Sequence, residues 1–351
     1  MTFDAYVQSI TQDKIVPKVV DNILNSNVLA LRILGKQKPW SGESLKFPIK
    51  YQKSTTGGSF SGLDTFSTAK VNTRQTLSFD PRGYYQSVVL SGMDVDVNAT
   101  PEGVLNLVKV EMESAQQDMI DSIGGLLYGD GTGNSNKEFL GLDAIVDDGT
   151  SVTTYGGLLR STYSPVLDGT RTASGGTLTT DLLGALYDNC TRGSKKPTLS
   201  VTTEAVWTIY EALLQPTVAA NYQAMNGYKQ VTRNGVAENR GALQGEIGFD
   251  ALFHRGVPVV ADEKCTAQTW WMLNEEYLTF YGLKSHKYSP ISMASSTIDG
   301  VYNDAPKTSG FSWTGLKEPV NQYAEIGQII LEGNLVSPAP RLMGRLTGIT
   351  G

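Results

Sequence analysis

From Val104 onward apolar residues recur every three or four positions. Val104, Val108, Met112, Ala115, Met119, Ile123 and Leu126 mark one stripe through TPEGVLNLVKVEMESAQQDMIDSIGGLLY. That spacing predicts a single amphipathic helix from Thr100 to Tyr128, with Thr100 as the cap and Pro101 at the first helical position. Some 28 residues at ~1.5 Å each make a rod of about 40 Å, longer than a typical globular helix. Its other faces carry Glu102, Glu111, Glu113, Asp118 and Asp121 against the single Lys109. Gly124 and Gly125 loosen the last turn, and GDGTG (Gly129 to Gly133) ends it. Alone, such a helix reads as a long core helix.

The pattern on either side is different. Ile10, Val16, Val19, Val20, Ile23, Leu24, Val28, Leu31 and Leu34 read as a helical arm over residues 3–34, restarted at Pro17. It either packs on its own domain or reaches a neighbour. From Leu45 the period falls to two: Leu45, Phe47, Ile49 and Tyr51 alternate with Lys46, Pro48, Lys50 and Gln52. Val71, Thr73, Gln75, Leu77 and Phe79 alternate again beyond the loop-like STTGGSFSG. Two such arms about a Gly/Ser-rich tip predict an extended β-hairpin. A lone two-stranded ribbon is marginal in water, so it needs a surface to lie on.

After the long helix, FLGLDAIV (Phe139 to Val146) reads as a short strand, followed by a Gly/Ser/Thr-rich loop to about residue 177. Helices are expected at Thr179–Cys190 and Thr203–Leu214, with a strand at Leu199–Thr202 between them. Residues 217–248 read as loop or a small hairpin. GVPVVAD and WWMLN read as buried strands, residues 284–312 as loop, and Asn321–Leu331 as a final strand. Short strands and helices mixed in this way predict an α+β fold.

Charged residues make up 18% of the 351, below the ~25% of typical soluble domains, which suits a surface covered by neighbours. Net charge is −6, so the whole chain is not a basic nucleic-acid binder. Cys190 and Cys265 are far apart and unpaired in motif, so no disulfide framework follows. The N-terminus lacks a signal-peptide pattern and no apolar run spans a membrane, so folding in the cytosol is expected. His254 and His286, the only histidines, have no partner at metal-ligand spacing. No phosphate-binding loop occurs, and Gly57-Gly58-Ser59-Phe60-Ser61 misses the nucleophile elbow at its last position. Asp147-Asp148 and Glu275-Glu276 are adjacent, hence poor acid/base pairs, and read as solvated surface. No catalytic, cofactor-binding or metal residue emerges, so a non-enzymatic role is expected.

The order of parts, with GDGTG then FLGLDAIV, TLSVTTEAVWTIYEAL, GVPVVADEKC, WMLNEEYL and GNLVSPAPRLMGRL, resembles the major capsid protein of tailed bacteriophages, whose fold is shared with encapsulins. The resemblance implies an N-terminal arm at 1–38 and an extended β-hairpin loop at 39–92 lying over a neighbouring subunit. It also implies a peripheral domain at 93–138 and 275–335 around a spine helix at 101–128, and an axial α+β domain at 139–274 and 336–351. The implied function is an icosahedral shell of hexamers and pentamers enclosing double-stranded DNA without sequence-specific binding. The alternative is an encapsulin-like shell around cargo enzymes. A separate scaffold, portal and decoration proteins are possible partners, no membrane or cofactor is implied, and the location is the virion, assembled in the host bacterial cytoplasm.

Charge suggests how two of these parts meet. Residues 39–90 hold six cations (Lys46, Lys50, Lys53, Lys70, Arg74, Arg82) against three acids (Glu43, Asp64, Asp80), a balance of +3. Residues 101–130 hold six acids against Lys109, a balance of −5. If the hairpin lies across a neighbour's long helix, as the resemblance implies, Lys46, Lys50 and Lys53 are expected to meet Glu111, Glu113, Asp118 and Asp121 there; the alternative is that both charge sets are simply solvated.

Overall fold

A computed structural model describes residues 11, 15, 18–19, 27–97, 100–225, 231–233, 236–238, 251–283, 289–293 and 307–351. Most of the expected arm, and His286, lie outside the described residues. In chain order come helix α1 (Val28–Leu34) and strands β1 (Lys38–Trp40), β2 (Leu45–Lys50), β3 (Arg74–Phe79) and β4 (Arg82–Ser91). Helices α2 (Gly92–Val97) and α3 (Pro101–Tyr128) follow, then the helical turn α4 (Leu142–Ile145), β5 (Thr170–Thr172), α5 (Thr180–Cys190), β6 (Leu199–Thr202) and α6 (Glu204–Met225). The remaining strands are β7 (Ala251–His254), β8 (Val257–Ala261), β9 (Trp270–Leu273), β10 (Thr279–Leu283), β11 (Ser289–Met293), β12 (Lys307–Trp313), β13 (Ala324–Val336) and β14 (Gly344–Leu346).

Two six-stranded sheets organise the described residues. The first runs β1-β10-β13-β12-β11, with β4 also paired to β13. Strand β13 reaches all its neighbours because it is 13 residues long: Ala324–Gly333 pair with β4, while Ile329–Leu331 and Gly333–Val336 pair with β12 and β10 on the other edge. The second sheet runs β7-β8-β6-β9-β14-β5 and mixes parallel with antiparallel neighbours. Its side chains alternate between two cores. Leu199, Val201, Trp271 and Leu273 join the large core beneath α3, whereas Val257, Val259, Trp270 and Met272 pack with Leu183, Leu186, Val206 and Tyr210 of α5 and α6.

Helix α3 is built as its sequence dictates. The Thr100 hydroxyl accepts a hydrogen bond from the Gly103 N–H at 3.2 Å, satisfying one of the helix's free donors. Val104, Val108, Met112, Ala115, Met119 and Ile123 are buried, and the stripe ends at Leu127 rather than at the expected Leu126, which is only half-buried. The four-residue step from Ile123 keeps Leu127 on the same face. Gly124 is a packing position: a Cβ there would lie 2.7 Å from both Asn27 Nδ2 and Lys264 Cγ.

Several expectations change in three dimensions. FLGLDAIV is a helical turn, not a strand, because Gly141 brings the chain against the end of α3, where a Cβ would overlap the carbonyl oxygens of Leu126 and Gly129. Residues 284–312, expected as loop, contribute β11 and β12 to the first sheet. Helix α6 continues through Met225, past its expected end at Leu214, while the small hairpin that residues 217–248 allow is present as Val231–Arg233 and Val236–Glu238. The hairpin proper ends at Phe79, because Arg82–Ser91, counted within the 39–92 loop, finds ten partners along β13.

Candidate assembly interface

Strands β2 and β3 pair antiparallel from Leu45↔Phe79 to Lys50↔Arg74, as the alternation requires. The root of this hairpin rests on its own chain. Ile49, Leu77 and Phe79 are buried, and the Phe79 ring meets Tyr155 edge-on at 5.2 Å. Tyr163 stacks edge-on against Tyr51 at 5.1 Å, and its hydroxyl accepts from Gln75 Nε2 at 3.1 Å. Two polar clamps fix the turn into β4. Asn334 donates to the Asp80 carbonyl at 3.0 Å, while Arg82 donates to the carbonyls of Gly131 (2.7 Å) and Glu138. An open hollow of about 830 Å³ lies between this root and the turn after α3. The surface the ribbon needs is thus supplied, at its root, by residues that follow it in sequence.

The tip is different. Residues 51–73 run past the last strand pair and are almost entirely exposed. Phe60 and Phe66 are 66% and 68% exposed, yet their rings pack edge-on at 5.1 Å, with Leu63 fully exposed between them. Lys46 and Lys50 lie on the exposed face of β2, and Lys53 stands exposed just beyond it.

The acidic side of α3 also faces outward, although much of it is engaged within the subunit. Glu113 is 3.8 Å from Lys109, Asp121 is 2.6 Å from Lys264, and Asp118 accepts from Gln86 Nε2 at 3.3 Å. Glu111 is half-buried. The structure therefore places the three lysines together on the hairpin and the four acids together on the helix, in separate regions of one subunit.

One polar centre escaped the sequence reading. Asp147, expected as solvated surface, is fully buried. Its Oδ1 accepts from the N–H groups of Gly149, Ser151 and Val152 at 2.8–3.1 Å, and its Oδ2 meets Arg345 at 2.9 Å and Arg171 at 3.4 Å. Arg345 also pairs with Asp143. The buried Arg160 donates to the carbonyls of Ala144, Ile145, Asp147 and Leu167. Glu275 and Glu276, read the same way, pair with Arg32 (2.5 Å) and Lys195 (2.5 Å). With Asp147 paired to Arg345 and Arg171, and both terminal nitrogens of Arg160 bound to carbonyls, the Asp147 centre holds these loops together.

His254 is a core residue packed between the rings of Tyr187 and Tyr210, and the described residues contain no cluster that could hold a metal. Burial, and then the charge of Arg255, lower its pKa. The folded state thus binds fewer protons than the unfolded chain, and stability should fall as pH drops below about 6.5. Urea midpoints measured between pH 7.5 and 5.5 should fall less for His254→Gln than for wild type; equal slopes would contradict this assignment. Burial also pushes the Cys190 thiol up to about 12, so it is an inert core group.

No protein-family model and no curated protein matches the sequence. Among solved structures, the chain is similar to the capsid asymmetric unit of cyanophage A-1(L), with a TM-score of 0.62 at 14% identity over 92% of this chain and 93% of that one. It is also similar to an encapsulin complex from Synechococcus elongatus PCC 7942, with a TM-score of 0.50 at 10% identity over 89% and 84% of the two chains.

Proposed function

From the premise that this chain has the phage capsid fold, shared with encapsulins, we propose that it is a structural subunit that self-assembles into a closed icosahedral shell enclosing a phage genome. The observation that carries this reading is the fold match along nearly the whole length of both chains. The hairpin agrees with it: its root is packed on its own body while its apolar tip is left in solvent. Monomers rarely leave such groups uncovered. A role in the virion, without an active site, is the corresponding proposal. Enclosed double-stranded DNA would be contained rather than read, in keeping with the net charge of −6.

Electron microscopy of the overexpressed, purified protein tests the proposal. Closed shells are expected, and a stable monomer at high concentration would reject it. Shells that copurify with a cargo enzyme would instead support the encapsulin-like reading.

Within the shell, Lys46, Lys50 and Lys53 steer the hairpin onto a neighbour's acidic helix face at Glu111, Glu113, Asp118 and Asp121. Each exposed pair contributes only ~0.2–1 kcal/mol, less where Lys109 or Lys264 already competes, but the contact repeats at every subunit. Reversing all three lysines to glutamate should slow assembly at low salt, by light scattering, and leave the subunit folded. Reversing the four acids in the same chain should partly restore the rate. An unchanged rate for the triple variant in low salt would dismiss electrostatic docking.

A further inference from the structure

Away from the hairpin, a second set of cations collects where three segments are stitched together. Arg32, in the last turn of α1, meets Glu275 in the loop between β9 and β10 through two nitrogens, at 2.5 and 2.8 Å. The adjoining Glu276 pairs with Lys195 at 2.5 Å. Lys195 belongs to the turn between α5 and β6. There Arg192 and Lys195 exchange backbone hydrogen bonds at 3.0 and 3.1 Å, and Gly193 takes the left-handed conformation (φ +60°). The same loops are joined twice more. Asn274 Nδ2 donates to the Lys196 carbonyl at 2.9 Å, and Thr198 Oγ1 accepts from the Glu275 N–H at 3.0 Å.

Charge along this seam does not balance. Residues 32–38 and 191–198 hold Arg32, Lys36, Lys38, Arg192, Lys195 and Lys196 and no acid. Residues 274–277 add only Glu275 and Glu276, which leaves a balance of +4. Both acids are committed to Arg32 and Lys195, and Asp188, the last acid of α5, is held by Arg255 at 2.7 Å. Lys36, Lys38, Arg192 and Lys196 are exposed, and none has an acid within ion-pair reach among the described residues.

We infer that this ridge binds the phosphate backbone of duplex DNA and faces the enclosed genome. The inference rests on the shell-subunit reading and deepens it, by naming the surface that touches what the shell encloses. Cations without acid partners displace the counter-ions condensed on DNA, and the release of those counter-ions drives binding. The net charge of −6 does not oppose this, because acids beyond the Debye length of ~10 Å at 0.1 M salt are screened. The seam is tied by hydrogen bonds between its loops, so little backbone order is lost on binding. A neighbour's acidic helix face is the competing anionic surface. Its Glu113, Asp118 and Asp121 already have partners in their own chain. Contact with phosphates alone carries no sequence information, so the genome is held without being read.

Anisotropy of a short fluorescein-labelled duplex with the full-length chain, between about 50 and 200 mM salt, tests the site. Each phosphate contact contributes ~0.9 to the slope of log affinity against log salt. The slope should therefore become shallower by roughly 3 to 4 in the variant Lys36→Gln/Lys38→Gln/Arg192→Gln/Lys196→Gln. Affinity at the lowest salt should fall at least about tenfold, with the thermal midpoint unchanged. Two duplexes of unrelated sequence should bind the wild type alike. Lys46→Gln/Lys50→Gln/Lys53→Gln controls for the hairpin's charge and should leave the slope unchanged. Equal slopes for the ridge variant and wild type, or a loss in the hairpin variant instead, overturn the inference and leave the shell reading standing. A ridge variant that binds DNA normally but slows assembly without DNA overturns it in favour of a neighbour's acids.

Orientation has its own measurement. In closed shells, an amine-reactive ester carried on dextran too large to enter should leave Lys36, Lys38 and Lys196 unmodified by mass spectrometry. Modification of these lysines from outside overturns the inward placement. If the chain forms no shells, the inward placement falls with the reading beneath it, and the salt slope still decides whether the ridge binds phosphate.

Discussion

Met119→Asp should yield no folded subunit. Met119 is fully buried midway along the α3 stripe, between Ala115 and Ile123, in the core that α3 shares with both sheets. The substitution removes the thioether packing and places a carboxylate where the surrounding cluster is apolar. Lost packing of ~2–5 kcal/mol and a further several kcal/mol of desolvation together rival the 5–15 kcal/mol that holds a typical domain folded. Met119→Leu, which conserves volume, should cost less than about 1.5 kcal/mol. Soluble yield and urea unfolding followed by circular dichroism separate the two variants. A soluble, cooperatively folding Met119→Asp protein would mean that the stripe does not face the core.

The second large effect is expected at Asp147. Asp147→Ala removes the acceptor of three backbone N–H groups and leaves Arg345, itself 5% exposed, and Arg171 short of a counter-charge. Breaking a buried ion pair from one side typically costs 3–5 kcal/mol. The neighbouring Asp148 is exposed and accepts from Thr150, whose N–H lies at 3.0 Å, so Asp148→Ala should cost no more than about 1 kcal/mol. Denaturant midpoints of the two alanine variants should therefore differ widely, although the residues are adjacent and chemically identical. Similar midpoints would remove the structural role assigned to the Asp147 centre.

That contrast shows where sequence reading stops. In Asp147-Asp148 the pattern offers two acids after an apolar run, and nothing local distinguishes them. What buries the first is Arg345, 198 positions away and brought alongside by the pairing of β9 with β14. The same holds for FLGLDAIV. Its apolar run is compatible with a strand or a buried helical turn, and only the approach of Gly141 to the end of α3 selects the turn. The candidate interface was half legible. Lys46, Lys50, Lys53 and the acids of α3 could be named because alternation and helical period assign a face to each. The apolar tip could not, since an isolated Phe or Leu gives no local sign of being left uncovered.

By itself, then, the sequence determined whatever depends on neighbours within a few positions: the helix from Pro101 to Tyr128 with its cap and buried stripe, the register face of β2 and β3, and the buried strands at Leu199, Val257 and Trp270. Tertiary structure alone decided that Arg82–Ser91 belongs to a sheet and not to the hairpin, that residues 307–313 form a strand, and that Asp147 is a buried hub. Helical and strand periods are set by backbone geometry acting on consecutive residues. Strand partners and counter-ions come from segments up to some 250 positions away, such as β4 and β13, and their pairing is fixed only when the shared core closes.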